Sequence, residues 1–505
     1  MSITSALYIA SSGIYTVDNS LSVVSNNIAN QSTAGYATEV ANQSALNADG
    51  VGMGVVSTAT TRDIDLSLQS AVFTQNASVA SLATQSTALS ALDAVSGTTG
   101  AGDDLPSLLG NLENSFTALS STPDSGAAQS DVVSAATALA GGINGISDAV
   151  TSQRQTAQDN IVTNIATLNG ALTQIGELNS QIVTDQAMGA STANLANQRD
   201  VSEQSISNLL DVKFVTAPNG AVQVMTNSGL TLPTDGTPIT TSNSNITATS
   251  TYPASVPAIT LDGSDITQSL TGGSIGGAIT LRDSTLPARQ AELDEFSEQL
   301  ATRFSAQGLN LFTDGGGDVP AVGSPTQSNY VGFGSIIEVN PTVSATPSLV
   351  RDGTQDITGS ATGASAFTTN SAGTAGFSTL IDRVLDYSFG GDVQSGVAQS
   401  TIPTTGLGAD GAVALGFLAG GTLSSFASAF SANDATEVSN VSSQLTDESD
   451  TQTTLQNQLS TGSAVSVDAQ MSAMVQLQNA YAANGKVLSS VQEMWTDLLD
   501  AVNPS

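Results

Sequence analysis

Near its start the chain sets apolar residues at alternating steps of three and four: Leu7, Ala10, Ile14, Val17, Leu21, Val24 and Ile28. This is the a/d spacing by which one helix seeks another, held over three heptads. The far end keeps the same spacing for five heptads, through Val467, Gln470, Met474, Leu477, Tyr481, Asn484, Leu488, Val491, Trp495, Leu498 and Val502. Outside its seam the first stretch is mainly Ser, Thr, Asn and Ala with almost no charge, which suits burial among like neighbours. Periodicity alone also fits the core helices of one globular domain. Chain ends usually fray, however, so seams at both of them favour packing between the ends or between subunits. Free of those partners, both ends are expected to be mobile. The polar seam positions Gln470 and Asn484 weaken association but can fix register. Upstream, Val438, Val441, Leu445, Leu455 and Leu459 fit a further helix, and Thr461, Gly462 and Ser463 fit a turn. The spacing therefore predicts an antiparallel helical hairpin at the C-terminal side.

Between the ends the texture alternates. Ile161, Ile165, Leu168, Leu172, Ile175 and Ile182 form a helical stripe, and Leu68, Val72, Val79, Leu82 and Leu89 a weaker one. After Phe214 short β-type runs such as Val222 to Met225 are broken by Pro218, Gly220, Gly229, Pro233 and Gly236. Helical spacing returns at Leu286, Leu293, Phe296 and Leu300, then Gly-, Pro- and Thr-rich sequence containing Val331 to Val339 runs to about residue 395. A chain of 505 residues exceeds one ordinary core. The expected fold is mainly α with β-rich insertions: coiled-coil-like terminal helices, a discontinuous long-helix shaft and outer β-rich modules. Residues 1–50 with 466–505 form the terminal helical part in this division, and 51–215 with 276–312 and 396–465 the shaft. Residues 216–275 and 313–395 are the two insertions.

Composition removes most chemistry. Cysteine and histidine are both absent, so thiolate sites, disulfides, the usual near-neutral base and the common zinc ligand are unavailable. A formal charge of −34 repels phosphate backbones and anionic bilayers, and neither nucleic acid nor membrane is expected as a partner. Gly50, Gly52 and Gly54 lack the lysine and strand–helix context of a phosphate loop and read as a turn. Asp314 and Asp318 around Gly315, Gly316 and Gly317 resemble a calcium turn only faintly. Acid pairs such as Asp103 with Asp104, or Glu292 with Glu295, read as solvated surface in so acidic a chain. No catalytic, cofactor-binding or metal residue is assigned. The first basic residue is Arg62 and no apolar run spans a bilayer, so a cleaved Sec-type signal is not expected.

The first helix runs into Ser25, Asn26, Asn27, Ile28, Ala29 and Asn30, followed by Thr33, Gly35 and Tyr36. Physically this is a helix stop. As a string it resembles the N-terminal motif of rod, hook and junction proteins of the bacterial flagellum. Gln476, Leu477, Gln478, Asn479, Ala480, Tyr481, Ala482, Ala483 and Asn484, with Met494, Trp495, Leu498 and Leu499, are similar to the C-terminal half of that signature. Two interior segments, Leu195, Gln198, Arg199, Asp200 and Leu281, Arg282, Asp283, Leu286, Pro287, resemble the hook-filament junction (hook-associated protein 1, FlgK) family. Departures are Ala34 for a usual Pro, Ala37 and Thr38 for a common Ser-Arg, and Ala469 and Gln470 where acids are usual.

The resemblance implies a structural subunit without catalytic residues, exported by the flagellar type III route and placed between hook and filament outside the cell. It implies a ring of about eleven copies, with the hook protein, a second junction protein and a cytoplasmic export chaperone as partners. The assembly interface would then lie on Leu7, Ile14, Val17, Leu21, Val24 and Ile28 with Met474, Leu477, Tyr481, Leu488, Val491, Trp495 and Leu498. The hook protein or another axial subunit is the alternative within that class; an extracellular adhesin is the alternative outside it.

Overall fold

The computed structural model describes residues 3–33, 35–48, 51–97, 100, 102–320 and 329–502. Ala34 and Gly50 fall outside these, as does the side chain of Val502. The first helix, α1 (Ile3–Ala29), leads into a long antiparallel hairpin, β1 (Glu39–Ala48) and β2 (Val51–Arg62). Four helices follow: α2 (Leu66–Ser96), α3 (Leu105–Ser121), α4 (Gly126–Ala187) and α5 (Ala193–Leu209). Each of α2, α3 and α4 starts on a side chain that accepts from the free first-turn amides: Asp65, Asp104 and Ser125.

The first insertion holds two three-stranded antiparallel sheets. One is β3 (Val212–Thr216), β4 (Val222–Thr226) and β5 (Thr231–Leu232); the other is β6 (Ile239–Thr240), β7 (Thr260–Leu261) and β8 (Ser264–Asp265). The chain returns to the shaft through α6 (Gly273–Thr280), a π turn over Leu281–Thr285, and α7 (Leu286–Ala306). The second insertion is mostly irregular. It carries β9 (Phe312–Thr313), β10 (Glu338–Val339), the short helices α8 (Pro341–Ala345), α9 (Leu349–Asp352) and α10 (Thr379–Arg383), and the pair β11 (Asp392–Gln394) and β12 (Val397–Ala398). A further pair, β13 (Thr405–Leu407) and β14 (Val413–Ala414), precedes the long helices α11 (Leu423–Ser463) and α12 (Val467–Val502). The fold is thus mainly α with β-bearing insertions.

The shaft core forms where α4 presents Val132, Ala136, Leu139, Ile143, Ile146 and Val150, and then Ile161, Ile165, Leu168, Leu172 and Ile175, along one stripe. Phe116, Phe296, Phe304 and Phe426 fill it, each burial contributing about 1.5–3 kcal/mol. Arginines fasten the loop-rich insertions to this core. Arg154 on α4 donates to the carbonyls of Thr247, Ser250 and Arg282, and Arg282 in turn reaches Pro257 O, Gln158 and Asp283. Irregular backbone lacks ladder partners, and a fork of guanidinium donors satisfies its carbonyls.

Three expectations change here. The C-terminal helices form no hairpin: α11 packs on α2, with Gln452 bonded to Asn76 and Gln75 to Glu448, while α12 packs on α1. Thr461–Ser463 remain helical and the chain bends at residues 464–466, after α2 has already taken the face of α11. The two ends are not without partners, because α1 and α12 cover each other. Finally, Asp104, Glu292 and Glu295 are buried rather than solvated. Asp104 caps α3, Glu292 pairs with Arg289, and Glu295 accepts from Tyr330 at 2.6 Å.

Candidate assembly interface

Helices α1 and α12 run antiparallel, since Asn27 bonds Gln470 at 3.2 Å while Gly13 lies against Asn484. Both polar seam positions of α12 thus meet named partners on α1. A Cβ at Gly13 would stand 3.0 Å from the Asn484 amide, so glycine permits the close approach. The hairpin covers another face of α1, where the Ser12 hydroxyl accepts from Val55 N and Asn19 bonds Ser57.

Asn27 is the hub of the N-terminal motif, with 1% of its surface exposed. Its amide donates to Glu39 O at 2.8 Å and to Gln470 Oε1, and its oxygen accepts from Glu39 N and the Tyr36 hydroxyl, both at 2.9 Å. Burial, with the Glu39 charge nearby, pushes the Tyr36 phenol up to about 12. Burial also raises the Glu39 carboxyl, against the opposing pull of Arg62. Around the hub the motif builds successive turns: Asn30 Nδ2 donates to Asn26 O, Thr33 Oγ1 to Asn30 Oδ1, and Tyr36 N to Thr33 O. Gly35 adopts φ +77° and a Cβ there would meet the Val201 side chain at 2.9 Å. Ile28 is half-buried, and Asn26, Ala29 and Thr33 face solvent.

The expected interface residues divide by burial. Val24 and Val491 are buried inside the pair; Ile14, Val17, Leu21, Ile28, Met474, Leu477 and Leu488 are half-buried; Leu7, Tyr481, Trp495 and Leu498 are exposed. Apolar residues off the seam are exposed as well: Tyr8 and Tyr15 on α1, and Met471, Val475, Val487, Met494 and Leu499 on α12. Such a concentration of large exposed apolar side chains on one pair of helices marks a binding surface. The chemistry available is association.

At the base of the pair lies a polar cluster that the sequence did not disclose. Asn197 on α5 exchanges hydrogen bonds with the backbone of Ala37 and donates to Glu39 Oε1. Arg62 bonds both Asn197 and Asp200, and Gln69 reaches Asp200 at 2.6 Å. Beneath it Glu203 is pushed up to about 7, first by burial and then by Asp200, with Arg199 opposing. The only trace in the sequence was that Asn197 sits inside the Leu195–Asp200 segment. Elsewhere the Asp314 carboxylate is occupied by the amides of Gly316 and Asp318. Among the described residues no cluster of acids is arranged to hold a metal, and no helix is long and apolar enough to cross a membrane.

Three family models match the chain. Residues 7–36 match the flagella basal body rod protein, 456–501 the C-terminal model of the flagellar basal body rod FlgEFG proteins, and 89–319 the helical domain of flagellar hook-associated protein FlgK. Flagellar hook-associated protein 1 of Salmonella typhimurium is 26% identical over 356 residues, covering 68% of this chain and 63% of that protein. Its Bacillus subtilis counterpart is 28% identical over 207 residues, 38% and 40% of the two chains. A solved flagellar hook junction protein from Burkholderia pseudomallei overlaps 50% of this chain and 47% of its own at 24% identity, with a TM-score of 0.41, too distant to carry detail across. Rod-type matches at both paired ends make the chain similar to flagellar axial proteins. The helical match between them narrows the resemblance to the FlgK family of flagellar hook-associated proteins.

Proposed function

We propose that this chain is a non-catalytic structural subunit joining the flagellar hook to the filament. The observation that carries this reading is the exposed apolar surface of the α1–α12 pair, eight large side chains on α12 alone: Met471, Val475, Tyr481, Val487, Met494, Trp495, Leu498 and Leu499. The resemblance to flagellar hook-associated proteins supports the flagellar setting. Copies associate through these faces into a ring of about eleven, with Leu7, Tyr481, Trp495 and Leu498 toward neighbours and Val24 and Val491 holding the pair itself. The hook protein lies on one side and a second junction protein on the other. Export follows the flagellar type III route, with a cytoplasmic chaperone covering α12 beforehand, since that helix is too apolar to travel uncovered. Immunogold labelling of the chain in flagellated cells tests the reading. Gold is expected at the hook tip, and loss of that label is expected for Leu498→Asp; label spread along the filament or over the cell body overturns it.

A further inference from the structure

The paired ends join the shaft through two short links, residues 63–65 and 464–466. Noncovalent contact across this elbow is sparse. Of the terminal elements, β2 on α5 is the principal packing against a shaft helix, and Thr38 donates twice to Ser463 O, at 2.8 and 3.0 Å. Besides the Gly35 turn resting on Val201 of α5, the rest is the polar cluster: Glu39 and Arg62 from the hairpin side, Asn197 and Asp200 from α5, with Arg62 to Asp200 at 2.6 Å. Beside it lies a cavity of about 400 Å³ bounded on one side by the Gln31–Ala37 turn and on the other by Phe73 of α2 and Leu459 of α11. Two thin links, one concentrated lock and adjacent free volume are the parts of a hinge with a catch.

We propose that Asn197 and Asp200, engaging Glu39 and Arg62, form a latch that fixes the attitude of the α1–α12 pair to the shaft, and that its release lets the pair swing about the two links. Buried charged and polar groups fix geometry best when each finds its partner, and removing one leaves the others unsatisfied. The four side chains are positioning residues: they lie beneath the exposed apolar faces rather than among them. An adaptor seated between two different assemblies requires such a settable angle; that use rests on the function proposed above, but the latch does not.

Because the chain has no cysteine, spin labels can be placed cleanly at Ser22→Cys on α1 and Thr454→Cys on α11, both exposed. Double electron–electron resonance on the full-length monomer should give one narrow distance distribution. Asp200→Asn and, from the other arm, Arg62→Met should each broaden it at least twofold while the thermal melt of the shaft stays put, and Arg62→Lys should restore most of the narrow peak. A parent distribution that is already broad overturns the proposal, as does an unchanged width in Arg62→Met. Should Asp200→Asn unfold α5, Arg62→Met, which alters β2 and no residue of the shaft helices, decides the matter. The readout needs no flagellum, so a failed latch leaves hook-tip labelling to judge the junction reading separately.

Discussion

Asn27 shows how one side chain carries a motif. Its four hydrogen bonds draw α1, β1, the Tyr36 turn and α12 to one point. Asn27→Ala strands the Glu39 amide and the Tyr36 hydroxyl, each at about 1–3 kcal/mol if no water replaces the partner. Hydrogen exchange should accelerate at Glu39 and through the first turns of α12 while α4 is unaffected; uniform exchange behaviour across the two proteins would deny the hub. A second residue-scale effect concerns pH. Burial pushes Asp294, Glu203 and Glu298 each up to about 7. A carboxyl raised in the folded state binds a proton that the unfolded chain releases, so its contribution is full below about pH 4 and is lost as pH rises through 7. The melting temperature should therefore be higher at pH 5.5 than at pH 8. Glu298→Gln should shrink that difference, and an undiminished slope would place the titration elsewhere. In the sequence the motif read physically as a helix stop, and α1 does end at Ala29. Its hydrogen-bond hub was invisible there, because the partners of Asn27 lie up to 443 positions away.

Among elements, the α1–α12 pair was legible as two seams, with packing of the ends on each other left open beside packing between subunits and a hairpin of the C-terminal helices. Spacing gives a helix its apolar face without saying which helix covers it, and the nearer candidate, α11, was already committed to α2. Strands β1 and β2 escaped notice because Glu39–Ala48 places Asn, Gln and Ser on both faces, leaving no alternation to read. Burial within the pair allows two substitutions on the same helix to be told apart. Val491→Asp puts a carboxylate into a contact that is 8% exposed, forfeiting about 1.5–3 kcal/mol of burial and adding a desolvation cost. It should release α12 in the monomer, seen as early protease cleavage there. Trp495→Asp changes a side chain that is 44% exposed; the monomer should melt as the parent does, while incorporation at the hook tip fails. Equal damage to the monomer by both would mean that Trp495 belongs to an internal core.

For the whole molecule the decisive pattern is where the charge sits. All eight arginines are occupied within the fold, by carboxylates or by backbone carbonyls, leaving Lys213 and Lys486 as the exposed cations against 44 acidic residues. Copies brought side by side repel through this surface, the terminal pair included, since Asp18, Asp468, Glu493, Asp497 and Asp500 there outweigh Lys486, so its apolar faces meet most readily when that charge is screened. Self-association should therefore strengthen as salt rises from about 0.05 to 0.5 M, the range over which screening shortens below the spacing of surface charges. Sedimentation velocity checks this, and association that weakens with salt would point to ion pairs between copies instead. Net charge was plain in the sequence; its partition, with every arginine engaged within the fold and most but not all carboxylates outside, required the structure. The central claim, that this chain couples hook to filament, is tested most directly by electron microscopy of a strain lacking it. The account predicts complete hooks without filaments, with filament subunits shed into the medium. Hooks that still carry filaments of normal length would contradict it.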